Sequence, residues 1–112
     1  MSVQIKRGLV NRLVTIEQIL LNPEHHSGWL YLPETTWGLD TQGVFAEDDK
    51  DADPDADPRS GIAKSEGWKE ILDGASIEDV VANAKAQIVN PNIEQLFEAF
   101  LYYFENDAFI TF

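Results

Sequence analysis

The sequence predicts one α+β domain over residues 1–112, in which two to three helices pack on a small antiparallel sheet of three to four strands. Hydrophobic residues make up 44% of the chain and aromatic residues 11%, fractions typical of a protein that buries a core. Several short aromatic-rich runs are bounded by glycine or proline, and two helical patterns close the chain. This order differs from the regular strand–helix alternation of nucleotide-binding folds.

Residues 1–14 fit two patterns. Val3 and Ile5 alternate as in a strand, whereas Leu9 and Leu13 suit a helix. We expect a short strand or an extended arm in this segment.

A first helix is predicted at residues 15–22. Thr15 and Gln18, three positions apart, match the capping box that begins many helices. The Asn22-Pro23 pair then ends the helix, because proline cannot continue it.

Three extended segments follow. The run WLYL at residues 29–32 is bounded by glycine and proline and is rich in strand-forming residues. The sequence of residues 35–48 predicts a second extended stretch, in which Val44-Phe45 is the last strand-forming pair. The sequence GWKEILDG at 67–74, flanked by glycines, predicts a third strand.

Two helices are predicted to close the chain. In residues 76–88, Ser76 and Asp79 resemble a capping box. The second helix begins at Asn90-Pro91. Apolar residues then recur along it at the spacing of one helix face: Ile93, Leu96, Phe97, Phe100, Leu101 and Phe104. The last six residues, DAFITF, are a candidate terminal strand.

The segment DDKDADPDADP, residues 48–58, places an aspartate at every second position from Asp49 onward. It fails as an EF-hand calcium loop in every frame, and the one frame with glutamate at the last ligand position has Arg59 in place of an oxygen ligand. Two prolines also stiffen it. We expect residues 47–61 to form an extended, mobile acidic loop that accelerates association with a partner. A weak cation site and a mimic of a phosphate backbone are the alternatives.

The net charge narrows the class of partner. Twenty acidic and eight basic side chains give a formal charge of -12. Such a field repels nucleic acid and anionic membranes and speeds encounter with basic proteins. We therefore expect a basic protein partner, with no direct binding to nucleic acid or membrane. The alternative is that acidity serves solubility alone.

The composition also indicates the cellular compartment in which the protein works. The chain has no cysteine, which excludes disulfides and thiolate chemistry and suits a reducing cytoplasm. The basic N-terminal segment is not followed by the apolar run of a signal peptide, and no apolar stretch has the length of a membrane span. We expect a soluble cytoplasmic protein.

The sequence contains no motif for catalysis, a metal or a cofactor, so we expect a non-enzymatic protein with none of these. His25 and His26 are adjacent, and adjacent side chains rarely reach one metal ion together. Glu70 and Asp73, together with the tryptophans, leave a small hydrolytic or ligand-binding domain as an alternative.

Tyr102 and Tyr103 lie off the apolar stripe of the last helix, so at least one should project from it. Acidic residues surround them, and tyrosine in such a setting is typical of protein interfaces. A second buried face is the alternative. The candidate partner-binding residues are Asp48, Asp49, Asp51, Asp53, Asp55, Asp57, Glu98, Tyr102, Tyr103, Glu105 and Asp107.

The motifs WLYLPE and FLYYFENDAFITF, with the acidic loop between them, resemble a family of small bacterial domains. Over residues 15–112 they look like the immunity proteins of polymorphic or contact-dependent toxin systems. The resemblance implies a small, acidic, cytoplasmic and non-catalytic protein. Its partner would be a cognate toxin domain, often a basic nuclease, whose active site it occludes.

Overall fold

The computed structural model describes residues 13–46 and 66–112. Within these residues the chain forms strands β1 (Val14–Thr15), β2 (Trp29–Leu32), β3 (Gln42–Ala46) and β4 (Lys69–Asp73). Helix α1 (Ile16–Leu21) and a 3-10 turn (Pro23–His25) lie between β1 and β2. Helices α2 (Gly74–Gln87) and α3 (Ile93–Asn106) follow β4.

The described strands form one antiparallel sheet in the order β1-β3-β2-β4. Leu30 of β2 pairs with Phe45 of β3 and with Leu72 of β4. The pairing of β2 with β4 shifts after Leu30 and skips Ile71, an irregularity that lets Ile71 and Leu72 both pack against the core. The predicted α+β class with a small antiparallel sheet is confirmed.

The main core lies between one face of the sheet and the three described helices. Its buried residues are Ile16, Ile19, Leu20, Leu30, Leu32, Ile71, Ile77, Val80, Val81, Ala84, Leu96, Ala99 and Phe100. No charged or polar side chain of the described residues is buried with them. The fold is therefore held chiefly by apolar burial, which all three helices and the sheet share.

The other face of the sheet carries a smaller apolar cluster. Tyr31 and Val44 are buried there, and Trp29, Ala46 and Trp68 pack against them. Along β2, Leu30 and Leu32 face the main core and Tyr31 faces this cluster, because successive side chains of a strand point to opposite faces. Two of the three tryptophans thus belong to this cluster and not to the main core.

The start of α1 agrees with its predicted capping box. The Thr15 hydroxyl accepts a hydrogen bond from the Gln18 backbone N–H at 3.1 Å, and the Gln18 side chain accepts one from the Thr15 N–H at 2.8 Å. The helix ends at Leu21, with Asn22 as its C-cap.

The start of α2 corrects the prediction from Ser76 and Asp79. The N-cap is Asp73, whose carboxylate accepts hydrogen bonds from the Ser76 backbone N–H at 3.4 Å and the Ser76 hydroxyl at 2.6 Å. The helix therefore begins at Gly74, two residues before the predicted cap Ser76. A Cβ at Gly74 would lie 2.5 Å from the His26 carbonyl oxygen, so this close approach requires glycine.

Helix α3 begins later than predicted from Asn90-Pro91. Asn92 is the N-cap and forms a capping box with Gln95, with backbone-to-side-chain hydrogen bonds of 2.8 and 2.9 Å. Asn90 instead has a left-handed backbone conformation, with φ of 55°. The chain therefore turns at Asn90 before α3 starts.

Two of the predicted strands differ from the structure: one is shorter than predicted and the other is absent. Residues 35–41 lie outside the strands, and the second predicted extended stretch reduces to β3. The segment 107–112 forms no strand either. Of the strand or arm predicted for residues 1–14, the structure describes only residues 13 and 14, and Val14 lies in β1. Residues 1–12 and the predicted acidic loop at 47–61 lie outside the described residues.

Candidate protein-binding surface

The described residues carry most of the net charge. They hold thirteen acidic side chains and two lysines, Lys69 and Lys85, which gives a formal charge of -11 out of -12 for the chain. Twelve of the thirteen acids are exposed, the exception being the half-buried N-cap Asp73. Thirteen of the twenty acidic side chains of the chain therefore lie on helices, strands and turns that the structure describes, where a charge can face a partner with little loss of entropy.

Helix α3 aligns several of these acids. Glu94, Glu98, Leu101 and Glu105 are spaced at i, i+4, i+7 and i+11, so they follow one line along the helix. The line extends about 16 Å at the helical rise per residue. The three glutamates are exposed, and Leu101 is half-buried between Glu98 and Glu105.

A shallow groove of about 340 Å³ runs along this line and is called the α3 groove below. Its apolar lining consists of Phe97, Leu101, Tyr102 and Ile110, and its acidic lining consists of Glu94, Glu98 and Glu105. Neither described lysine lines it. An apolar surface bordered by three carboxylates suits an apolar anchor that carries positive charge on its flanks.

The segment after α3 supplies one wall of the α3 groove. Asp107 ends the helix in a left-handed conformation, with φ of 53°, and turns the chain back. The Gln87 side chain of α2 then holds the segment at two points. Its amide nitrogen donates to the Ile110 carbonyl oxygen at 2.8 Å, and its amide oxygen accepts from the Phe112 N–H at 3.0 Å. These bonds place Ile110 beside α3.

A second groove, of about 350 Å³, lies on the other side of Leu101 and Glu105. Trp37 and Phe104 line it, with ring centroids 5.2 Å apart. The Trp37 indole N–H donates to the Pro33 carbonyl oxygen at 2.8 Å, which fixes the ring. Phe104, predicted as a core residue, is 40% exposed, because it packs on this loop tryptophan at the rim.

The structure brings some predicted partner-binding residues together and separates others. Glu98, Tyr102 and Glu105 line the α3 groove, and Tyr102 projects from the helix with 38% of its surface exposed. Tyr103 instead packs against the main core, and its ring centroid lies 5.2 Å from that of Phe109. Asp107 serves as the C-cap of α3.

The remaining predicted partner-binding residues, Asp48, Asp49, Asp51, Asp53, Asp55 and Asp57, lie outside the described residues. Sequence reasoning missed four residues of the groove, which are Glu94, Phe97, Leu101 and Ile110. The spacing of Glu94 from Glu98 and Glu105 was a usable signal. The place of Ile110 depends on the bonds from Gln87, which no local pattern indicates.

Glu70 and Asp73, the candidate hydrolytic pair, have separate local roles. Glu70 accepts a hydrogen bond from the Tyr31 hydroxyl at 3.2 Å, across the β2–β4 pairing. Asp73 caps α2. The groove of about 360 Å³ beside Asp73 is lined by Trp29 and Glu78 among others, but Glu70 is not part of its lining.

The two histidines lie at the edge of another groove, of about 540 Å³, next to α1. His26 stacks on Phe45, with ring centroids 5.0 Å apart, and burial lowers its pKa from the ordinary 6.5. His25 lowers this pKa further through its charge, while Glu24 opposes the shift. Within residues 13–46 and 66–112, no three histidine, aspartate or glutamate side chains form a group that could hold a metal ion.

Fold and surface together define a small acidic α+β domain with an acid-bordered apolar groove on its last helix. The chain belongs to a family of domains of unknown function, DUF7716, which matches residues 13–112. No curated protein and no solved structure matches the chain. In the part of the chain that the structure describes, no helix has the length and apolar character needed to cross a membrane.

Proposed function

We propose that this protein is a cytoplasmic immunity protein, which binds a cognate basic toxin domain and occludes its active site without catalysis of its own. The toxin role rests on the resemblance of WLYLPE and FLYYFENDAFITF to toxin-immunity domains. The observation that carries the binding role is the charge of -11 on the described residues, of which three carboxylates border the exposed apolar α3 groove.

The electrostatic reason is direct. A nuclease holds phosphates with cationic side chains, so a surface rich in carboxylates can compete for the same groups. The carboxylates of α3 sit on an ordered helix, which lowers the entropy lost on docking. Tyr102, Phe104 and Leu101 add apolar and aromatic area of the kind that anchors protein interfaces.

Co-expression tests the proposal. The toxin domain is taken from the gene next to the one encoding this protein and expressed with and without it. We expect survival only with the immunity protein, and a purified complex whose association rate falls steeply with added salt. Growth arrest in both cases, together with no complex by gel filtration, would contradict the proposal.

A further inference from the structure

We infer that the α3 groove binds an amphipathic basic helix of a partner protein, with one apolar side chain seated against Leu101 and Tyr102 and lysine or arginine residues facing Glu98 and Glu105. This inference rests on the proposed binding function and identifies the surface that performs it. It also specifies the pattern that the partner segment must carry.

The lining of the groove favours a helix over an extended strand. A peptide that binds as a strand needs the free backbone groups of a sheet edge. The residues that line the α3 groove come from α3 and the segment after it, and none comes from a strand. A helix needs only a groove that accepts its apolar side chains. Phe97, Leu101 and Ile110 form the apolar lining of such a groove.

The spacing of the glutamates on α3 determines the spacing of the basic residues that a partner helix must carry. Glu98 and Glu105 are seven residues apart on α3, about 10.5 Å along the axis, with Leu101 between them. A partner helix matches this line with an apolar residue at i+3 or i+4 and cations at i and i+7. Glu94, one turn before Glu98, extends the same acidic edge.

The charge of the α3 groove also distinguishes a basic partner helix from a second copy of this chain. A second copy of this chain would bring a charge of -12 onto an acidic edge, and like charges facing each other across an interface are costly. A basic helix has the opposite sign and lacks this penalty. The groove therefore selects a basic partner over self-association.

Gln87 is a positioning residue for this groove. Its amide nitrogen donates to both the Asn83 side-chain oxygen at 2.7 Å and the Ile110 carbonyl oxygen at 2.8 Å, and its amide oxygen accepts from Phe112. The donors and the acceptor of the amide are thus all engaged, and the Ile110 wall is fixed before a partner arrives. A preformed groove requires less ordering on binding.

The test uses a synthetic peptide of about four turns, held helical by a lactam bridge on its outer face. Its inner face carries leucine at i+3 and lysine at i and i+7. A matched peptide has the same composition and bridge, but no face combines leucine with lysine. We expect the first peptide to bind the full-length protein at least about tenfold more tightly, as measured by calorimetry.

Two double variants locate the site. E98Q/E105Q removes the groove charges, whereas the control E78Q/D79N removes two exposed charges from α2 that do not line the groove. We expect the groove variant to weaken peptide binding about tenfold and to flatten its salt dependence, while the control changes it less than about twofold. Q87A should weaken binding severalfold with an unchanged salt dependence, since it alters the wall and not the charge.

Equal affinity for the two peptides, no binding by either, or equal effects of the two double variants would overturn the inference. The neighbouring toxin domain separates this failure from that of the proposed function. If the toxin binds and is neutralised equally well by wild type and E98Q/E105Q, the immunity role stands and the groove assignment is wrong. If the peptide results hold and the toxin forms no complex, the groove assignment stands and the immunity role is wrong.

Discussion

On the inner face of α3, Phe100 is fully buried, with 0% of its surface exposed. On the outer side of the same helix, Tyr102 and Phe104 keep 38% and 40% of their surfaces exposed. The inner residues contact the sheet and the other helices, while the outer residues border open grooves and exposed glutamates. The difference separates apolar side chains that stabilise the fold from apolar side chains available to a partner.

The largest expected effect tests the inner face. We expect Phe100→Ala to lower the free energy of unfolding by about 3–5 kcal/mol, because it removes a large buried side chain and leaves a cavity. Urea unfolding followed by tryptophan fluorescence measures this. The matched control is Phe104→Ala, one turn later, which should cost only about 1 kcal/mol, because its ring is partly exposed and lies at the surface beside Trp37. Equal losses for both variants would break the contrast between the two positions.

A smaller loss of stability is expected when the N-cap of α3 is removed. Asn92→Ala removes the side-chain acceptor of the Gln95 N–H, and we expect a loss of about 1 kcal/mol in unfolding free energy. Asn92→Ser keeps a capping acceptor and should stay within about 0.5 kcal/mol of wild type. If serine fails to rescue stability, the capping role assigned to Asn92 is wrong.

A still smaller effect on stability is expected at Tyr102. Tyr102→Ala should lower the unfolding free energy by less than about 1 kcal/mol, because the side chain is on the surface. The same change should weaken binding of the basic helical peptide about tenfold or more, since exposed tyrosines at interfaces are frequent anchors. Calorimetry and urea unfolding of the same sample give the two values. A large loss of stability would place Tyr102 with the inner residues.

Much of this division could be predicted from the sequence. The periodicity of α3 predicts Leu96 and Phe100 as core residues, and both are buried. For Tyr102 and Tyr103 it predicts only that at least one projects from the helix, and the structure shows that Tyr102 is the exposed one. The capping box of α1 was also predicted correctly, because it depends only on residues three positions apart.

The errors arose where long-range contacts decide between competing local patterns. Ser76 and Asp79 resemble a cap, yet Asp73 is the N-cap and Gly74, the first residue of α2, lies close to the His26 carbonyl oxygen from a distant part of the sequence. Phe104 continued the apolar stripe but meets the loop residue Trp37. The wall of the α3 groove was unpredictable for the same reason, since Gln87 and Ile110 are 23 residues apart in sequence.

The smallest expected effect concerns His26, a half-buried polar residue that belongs to neither face of α3. Burial lowers its pKa below 6.5, with a further decrease from the charge of His25. Between the folded-state pKa and 6.5 the unfolded chain binds more protons than the folded chain, so stability falls as the pH decreases through this window. We expect His26→Gln to reduce the difference in unfolding free energy between pH 7.5 and pH 5.5, although loss of the Phe45 stack lowers stability at both values. His25→Gln should retain most of the difference, because burial is the largest cause of the shift. The same pH dependence in wild type and His26→Gln would show that other groups control acid stability.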